Sequence, residues 1–197
     1  MIEKISEHIL HYLLQTEVIK DTQEVKDYYQ YGIEITISSM LNVILILLIG
    51  IVFNSLAESI VFLLCFIPLR QFTGGYHAKS YFLCNLTFSV SFSIALLVYH
   101  LTKEHITTYV GILIVLITCV IFFSECPIEN KNKPLSSNKK KVHKALSIVL
   151  GSVYGSVAVA LISCSYKIGA ILLYTLVLIN FLIIVATFQD FGKKVEK

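Results

Sequence analysis

Residues 168–188, IGAILLYTLVLINFLIIVATF, decide the fold because they contain no charged residue. A helix of about 20 apolar residues spans the hydrocarbon core of a bilayer, and this stretch has that length. In water it would leave a long apolar surface exposed. In a bilayer the lipid acts as its solvent, so we expect a transmembrane helix here.

The same pattern recurs along the chain and predicts further spans at about 33–53, 57–69, 80–101, 106–124 and 145–165. The composition agrees, with 56% hydrophobic and 15% charged residues, whereas soluble domains have about 45–50% and about 25%. A water-soluble chain of this length could not bury so much apolar surface. The sequence therefore predicts an all-α integral membrane protein with about six transmembrane helices, in a membrane domain at residues 33–188.

Residues 1–32 precede this domain and begin with apolar residues at helical spacing: Ile2, Ile5, Ile9, Leu10, Leu13 and Leu14. Charged residues lie between them, as in amphipathic helices that rest on a membrane surface. We expect an N-terminal amphipathic interfacial helix, and packing against a partner subunit is an equal alternative. Residues 189–197 form a polar tail.

Lysine and arginine divide unevenly between the segments that connect the predicted spans. Suppose that the N-terminus, the loop 70–79 at the start of the predicted catalytic loop 70–85, the basic loop 125–144 and the tail share one side. The other side then keeps only Lys103 and Lys167. Short loops rich in these residues stay in the cytoplasm. Since six alternating spans reproduce this division, we expect both termini to be cytoplasmic.

The segment RQFTGGYHAKSYFLC, residues 70–84, begins with a stretch, RQFTGGYHAKS, that is too polar to face lipid. Irregular backbone at membrane depth occurs only where protein or water covers it. The pair Gly74-Gly75 permits backbone angles closed to other residues, and His77 can exchange protons near neutral pH. With Cys84, these residues supply a thiol nucleophile and a base.

The spacing constrains how that pair could react. On one straight helix His77 and Cys84 would lie roughly 10 Å apart, at about 1.5 Å per residue, whereas a base must lie within about 3 Å. A reacting pair therefore requires a fold-back or non-helical backbone before Ser80, which lies one turn before Cys84 and could orient either group. In the competing interpretation both residues are packing residues, and spacing alone leaves both open. Two ligands are too few for a structural metal site, so we expect no metal and no cofactor.

The segment resembles the signature of the accessory gene regulator B (AgrB) family, which are bacterial membrane cysteine endopeptidases that mature quorum-sensing peptides. The similarity extends to residues 126–135, CPIENKNKPL, and to the six-span layout. The resemblance implies catalytic roles for His77 and Cys84. It also includes three further motif residues, Arg70, Gly74 and Gly75.

The resemblance also implies a substrate and a reaction. The substrate would be a small AgrD-like precursor peptide. Its C-terminal tail would be released as the rest of the peptide forms a thioester with Cys84. The peptide would then leave Cys84 by cyclising into a thiolactone or lactone signal. The protein would lie in the bacterial cell membrane with its active site cytoplasmic, as a homodimer. No third catalytic group is identified, and Glu34, near the start of the first span, is only a candidate.

The densest positive patch comprises Lys131, Lys133, Lys139, Lys140, Lys141 and Lys144. Attraction to anionic lipid explains such a patch and is slightly favoured on physical grounds. Capture of an acidic precursor tail is the alternative, and the family resemblance is compatible with both roles together. Nucleic acid is not an expected partner, because the patch lies at a membrane surface and lacks interleaved aromatic residues.

Two other classes of protein compete with the peptidase. A small membrane transporter would place ionisable residues inside its spans, where this sequence has almost none. A non-catalytic peptide-binding or assembly protein is not excluded by the sequence. The motif Gly151-x-x-x-Gly155 predicts close helix packing, either within the chain or between subunits.

Overall fold

The computed structural model describes residues 2–16, 18–19, 22–74, 80–128 and 136–195. Helices are the only regular elements within these ranges. They are α1 (Ile2–Gln15), α2 (Gln23–Val52), α3 (Leu56–Thr73), α4 (Tyr81–Thr102), α5 (Thr108–Glu125), α6 (Ser137–Ser163) and α7 (Gly169–Val195).

The helices α2 to α7 are each long and apolar enough to cross a membrane. This confirms the all-α fold with six spans, and the chain is a multi-pass membrane protein. The remaining helix, α1, packs against α2 through the buried residues Ser6 and Leu10. Its apolar residues Ile5, Ile9 and Tyr12 stay exposed, as a helix lying on a membrane surface requires.

Several helices extend beyond the spans expected from hydropathy. The helix α2 begins at Gln23, so most of the polar stretch before residue 33 belongs to the first spanning helix rather than to a separate segment. Likewise α6 begins at Ser137, which places Lys139, Lys140 and Lys141 on a helix rather than in a loop. Hydropathy indicates which residues can contact lipid. It does not indicate where a helix ends, because its hydrogen bonds continue among polar residues outside the lipid.

The helix α3 continues to Thr73, beyond the end expected near Pro68. Proline lacks the N–H that would bond to the carbonyl four residues earlier, which here is that of Leu64. The hydroxyl of Tyr154 on α6 donates a hydrogen bond to this carbonyl, 3.0 Å away. Because the Leu64 carbonyl has this hydrogen-bond donor, α3 continues past Pro68, and Arg70 lies in its last turn.

Contacts between helix ends define two faces of the bundle. On the first, which we call the Cys84 face, the end of α3 contacts the segment after α5, and Phe72 packs edge-on against His143 of α6. On the second, the Cys164 face, Lys167 pairs with Glu104. The helices therefore alternate in direction, as six sequential spans should.

The interior centres on α7, whose inward residues are almost fully buried. Asn180 in its middle donates a hydrogen bond to Thr118 of α5, at 2.8 Å. A Cβ atom on Gly151 would lie 2.8 Å from the Phe122 ring, and one on Gly155 would lie 2.6 Å from Val115. Of the two alternatives for this glycine motif, the structure therefore supports packing of α5 against α6 within the chain.

Candidate active site

The start of α4 holds Cys84 in place. Ser80 is the N-cap residue, with extended backbone angles, and its hydroxyl accepts a hydrogen bond from the Leu83 N–H at 3.2 Å. The Cys84 N–H donates to the Ser80 carbonyl at 3.0 Å, so Cys84 lies one turn inside the helix and is half-buried. A helix start carries partial positive charge, which favours an anion at this position.

Arg70 lies in the last turn of α3, close enough to Cys84 for their charges to interact. Its guanidinium also donates a hydrogen bond to the carbonyl of Gly74. A basic residue is favourable at a helix C-terminus because of the partial negative charge there. The same side chain therefore stabilises the end of α3 and lies within electrostatic range of the Cys84 thiol.

Gly74 ends α3 in a conformation that requires glycine, with φ of 69° and ψ of −147°. It forms an isolated parallel bridge with Ile128, whose N–H donates to the Thr73 carbonyl at 2.9 Å. A Cβ atom on Gly74 would collide with the Ile128 carbonyl. This bridge joins the end of α3 to the Cys126-Pro127-Ile128 segment, so parts of the two stretches that carry the sequence resemblance meet in space.

Two hydrogen bonds attach the first turns of α4 to α2. The Tyr81 hydroxyl donates to the Glu34 carboxylate at 2.9 Å. The Ser38 hydroxyl donates to the Asn85 side-chain oxygen at 2.8 Å, and this second bond is buried. The nucleophile candidate therefore lies between two attachment points.

His77 and Gly75 lie outside the described residues, as do Lys131 and Lys133. The expected return of the His77 imidazole toward Cys84 therefore stays a prediction. The described chain resumes at Ser80, whose extended backbone marks the start of α4. Among the other histidines, His143 packs on Phe72, and His100 hydrogen-bonds to Ser55 on the Cys164 face.

The other cysteines lie in environments that differ from that of Cys84. Cys65 is fully buried in the middle of α3, and Cys119 lies 3.5 Å from the Ser152 hydroxyl. Cys126 is nearer the site, and burial raises the pKa of its thiol to about 12. It is only 5% exposed, whereas Cys84 is half-buried, so Cys126 is less accessible to a peptide. Cys164 is exposed on the Cys164 face.

The described lysines of the positive patch surround the start of α6. Lys139, Lys140 and Lys141 are exposed, while the Lys144 ammonium lies over the Phe123 ring, 4.6 Å from its centroid. The first turn of α6 carries no acidic residue, and its own partial positive charge adds to that of the lysines. This end of the helix therefore attracts anions strongly.

The sequence interpretation missed two parts of this site: the bridge from Gly74 to Ile128 and the attachments of α4 to α2. A signal for the second existed, because Glu34 and Ser38 lie four residues apart on α2, as do Tyr81 and Asn85 on α4. Polar residues at that spacing line one face of a helix. No comparable signal marks Ile128.

Comparison with known proteins finds relatives that match over most of this chain. The family described as accessory gene regulator B matches residues 6–189. AgrB-like protein 2 from Clostridium perfringens is 30% identical over 175 residues, covering 86% of this chain and 81% of that protein. Protein FsrB from Enterococcus faecalis is 27% identical over 180 residues, covering 85% of this chain and 72% of that protein. No solved structure matches the chain.

Proposed function

Because the chain belongs to the accessory gene regulator B family, we propose that it is a membrane cysteine endopeptidase with Cys84 as its nucleophile. Family membership supports a role in the processing of quorum-sensing peptide precursors and implies an AgrD-like precursor as partner. The observation that carries the finer proposal is the half-buried position of Cys84 in the first turns of α4, within electrostatic range of Arg70. The partial positive charge of the helix start and the charge of Arg70 would both stabilise a thiolate.

In the proposed reaction His77 takes the proton of the Cys84 thiol. The sulfur then attacks the carbonyl at the C-terminal cleavage point of the precursor, forming a C–S bond. The peptide C–N bond breaks, and the proton passes from His77 to the departing amine of the tail. The peptide remains attached to Cys84 as a thioester.

A cysteine or serine side chain of the bound peptide then attacks this thioester. The new bond closes a thiolactone or lactone ring, the bond to Cys84 breaks, and the sulfur recovers its proton. Cyclisation needs no external energy source, because a thioester retains acyl-transfer reactivity as long as water is excluded. The Arg70 guanidinium and the Gly75 N–H are candidates for stabilising the oxyanion, whereas the Gly74 N–H donates to the Arg70 carbonyl at 3.2 Å.

The test compares wild type with Cys84→Ala and His77→Ala in liposomes, using the precursor encoded beside the gene and mass spectrometry of the products. Both variants should lose tail release by at least about a hundredfold, the loss expected when a general base or nucleophile is removed. Cys164→Ala, on the Cys164 face, is the control and should cleave normally. Normal cleavage by Cys84→Ala would reject the mechanism.

The lysines at the start of α6 support a second part of the proposal, namely binding of the acidic precursor tail and of anionic lipid on the cytoplasmic side. The change of Lys139, Lys140 and Lys141 to glutamine should raise the KM for the precursor severalfold at low salt and leave kcat unchanged. The effect should shrink as salt screens the charges. Unchanged precursor affinity in neutral liposomes at low salt would leave lipid attraction as the sole role.

The homodimer that the family resemblance implies stays a prediction. The side chains of Phe122 and Val115 of the same chain fill the space next to Gly151 and Gly155. A dimer would therefore have to use a different surface. The exposed apolar residues of the spanning helices are the natural candidates for contact with lipid or a second copy.

A further inference from the structure

The helices α2 and α4 are joined along matching turns. Glu34 on α2 meets Tyr81 on α4, and one turn further along each helix Ser38 meets Asn85. Residues four apart occupy the same face of a helix, so these bonds join one face of α2 to one face of α4. Cys84 lies in the turn between Tyr81 and Asn85.

The next turn along the same faces differs. The side-chain oxygen of Asn42 and the hydroxyl of Ser89 are buried, and neither has a hydrogen-bond partner within the described residues. The two side-chain bonds between α2 and α4 therefore lie on either side of Cys84 rather than along the whole interface. That placement favours a role connected with Cys84 over general packing of the two helices.

Glu34 is the common acceptor of three helices. One carboxylate oxygen accepts from the Gln30 amide of α2 at 3.2 Å. The same oxygen lies 3.2 Å from the Ser6 hydroxyl of α1, whose one proton it shares with the nearer Glu3 carbonyl at 2.8 Å. The other carboxylate oxygen accepts from Tyr81 of α4 at 2.9 Å. A carboxylate held by several donors has a fixed orientation, and it transfers that constraint to the Tyr81 end of α4.

We propose that Glu34 is a positioning residue for the nucleophile, acting through its hydrogen bond to Tyr81. This inference rests on the proposed function of Cys84. It gives Glu34 a different role from that of a third catalytic group, since the carboxylate orients the helix that carries the thiol and need not touch the base. Displacement of a reacting group by about 1 Å can slow catalysis by about a hundredfold, so a loosened first turn should lower the rate of acylation.

The first test is Tyr81→Phe, which removes one hydroxyl, in the full-length protein in liposomes with the precursor peptide. We expect kcat for tail release to fall about tenfold while KM changes less than about twofold. The matched control is Tyr99→Phe, because the Tyr99 hydroxyl donates to Glu58 at 3.1 Å near the other end of the same helix. The control should lose as much thermal stability and keep its kcat. Unchanged kcat in Tyr81→Phe, or an equal fall in both variants, would overturn the proposal.

A second test separates positioning from proton chemistry at Glu34. Glu34→Gln keeps an oxygen that accepts from Tyr81, so kcat should stay within about threefold of wild type. Glu34→Ala should lose as much as Tyr81→Phe, and the double variant should lose no more, because both changes break one interaction. Equal losses in Glu34→Gln and Glu34→Ala would overturn positioning in favour of a charge-dependent role.

These outcomes are distinguishable from failure of the proposed function itself. If Cys84→Ala cleaves normally, the peptidase mechanism fails whatever the Glu34 and Tyr81 variants do. If Cys84→Ala is inactive while Tyr81→Phe has the wild-type kcat, only the positioning role fails.

Discussion

Gly74 shows at the scale of one residue why a glycine occupies the end of α3. Its φ of 69° and ψ of −147° lie in a region that other residues rarely adopt. The Ile128 carbonyl also occupies the space that a Cβ atom would need. The two constraints are independent, and both concern the contact between the end of α3 and the segment after α5.

Gly74→Ala should therefore destabilise the protein by about 1–3 kcal/mol and lower the rate of tail release, since Arg70 bonds to the displaced carbonyl. Gly32→Ala is the matched control, because Gly32 lies in α2 with nothing within 4 Å of the added Cβ atom. That change should be neutral or stabilising. Thermal unfolding and cleavage rates measure both effects. Wild-type stability in Gly74→Ala would contradict the described contact.

At the scale of a helix, Pro68 and Tyr154 form a compensating pair. The proline leaves the Leu64 carbonyl without its helical donor, and the Tyr154 hydroxyl supplies one from α6. An interhelical hydrogen bond in a membrane contributes about 0.6 kcal/mol on average, with values up to about 1.7 kcal/mol. The bond therefore stabilises the packing of α6 on α3 as well as the continuity of α3.

Tyr154→Phe should lower the free energy of unfolding by about 0.5–1.5 kcal/mol. In a Pro68→Ala background the restored N–H bonds to the Leu64 carbonyl, so Tyr154→Phe should then have little effect. The coupling between the two changes is measured by a double-mutant cycle in detergent unfolding experiments. Strictly additive changes would mean that the hydroxyl does not substitute for the missing N–H.

The element scale also shows what sequence can predict. The six spans were predictable because bilayer thickness fixes their length. Their ends were not, because the polar residues before residue 33 and the lysines after Ser137 continue helices outside the apolar region. The passage of α3 through Pro68 depends on Tyr154, about 90 residues away in the chain, and no local pattern contains that contact.

At the scale of the whole molecule, the division of charge between the two faces predicts orientation. The Cys84 face carries the lysines at the start of α6, whereas the described Cys164 face carries Lys103 and Lys167. The latter pairs with Glu104, which lowers the pKa of that carboxyl, chiefly through the hydrogen bond from Lys167. Since basic residues remain on the cytoplasmic side, we propose that the Cys84 face is cytoplasmic.

Labelling with a membrane-impermeant maleimide tests this orientation in intact cells. A variant that keeps only Cys164, an exposed residue, should react from outside. A second variant with all native cysteines changed to alanine and with Lys139→Cys should react only after the cells are permeabilised. The reverse pattern would place the proposed active site outside the cell.

The site was predictable only in part. The residues Arg70, Gly74 and Cys84 stood out because polar groups and glycine interrupt apolar sequence. The structure places Arg70 and Gly74 at the end of α3 and Cys84 in the first turns of α4. Contacts between distant segments were not predictable, as with Ile128 on Thr73 and Tyr81 on Glu34. Such contacts depend on how the helices pack, which one sequence does not specify locally.

The most direct test of the central claim is the mass of the fragment that contains Cys84, taken from protein quenched during turnover. Wild-type protein in liposomes is mixed with the precursor, quenched in acid and digested. We predict an adduct equal to the precursor without its tail, attached as a thioester to the fragment containing Cys84 and absent from Cys84→Ala. Tail release without any adduct on Cys84, or with the adduct on a different cysteine, would contradict the account.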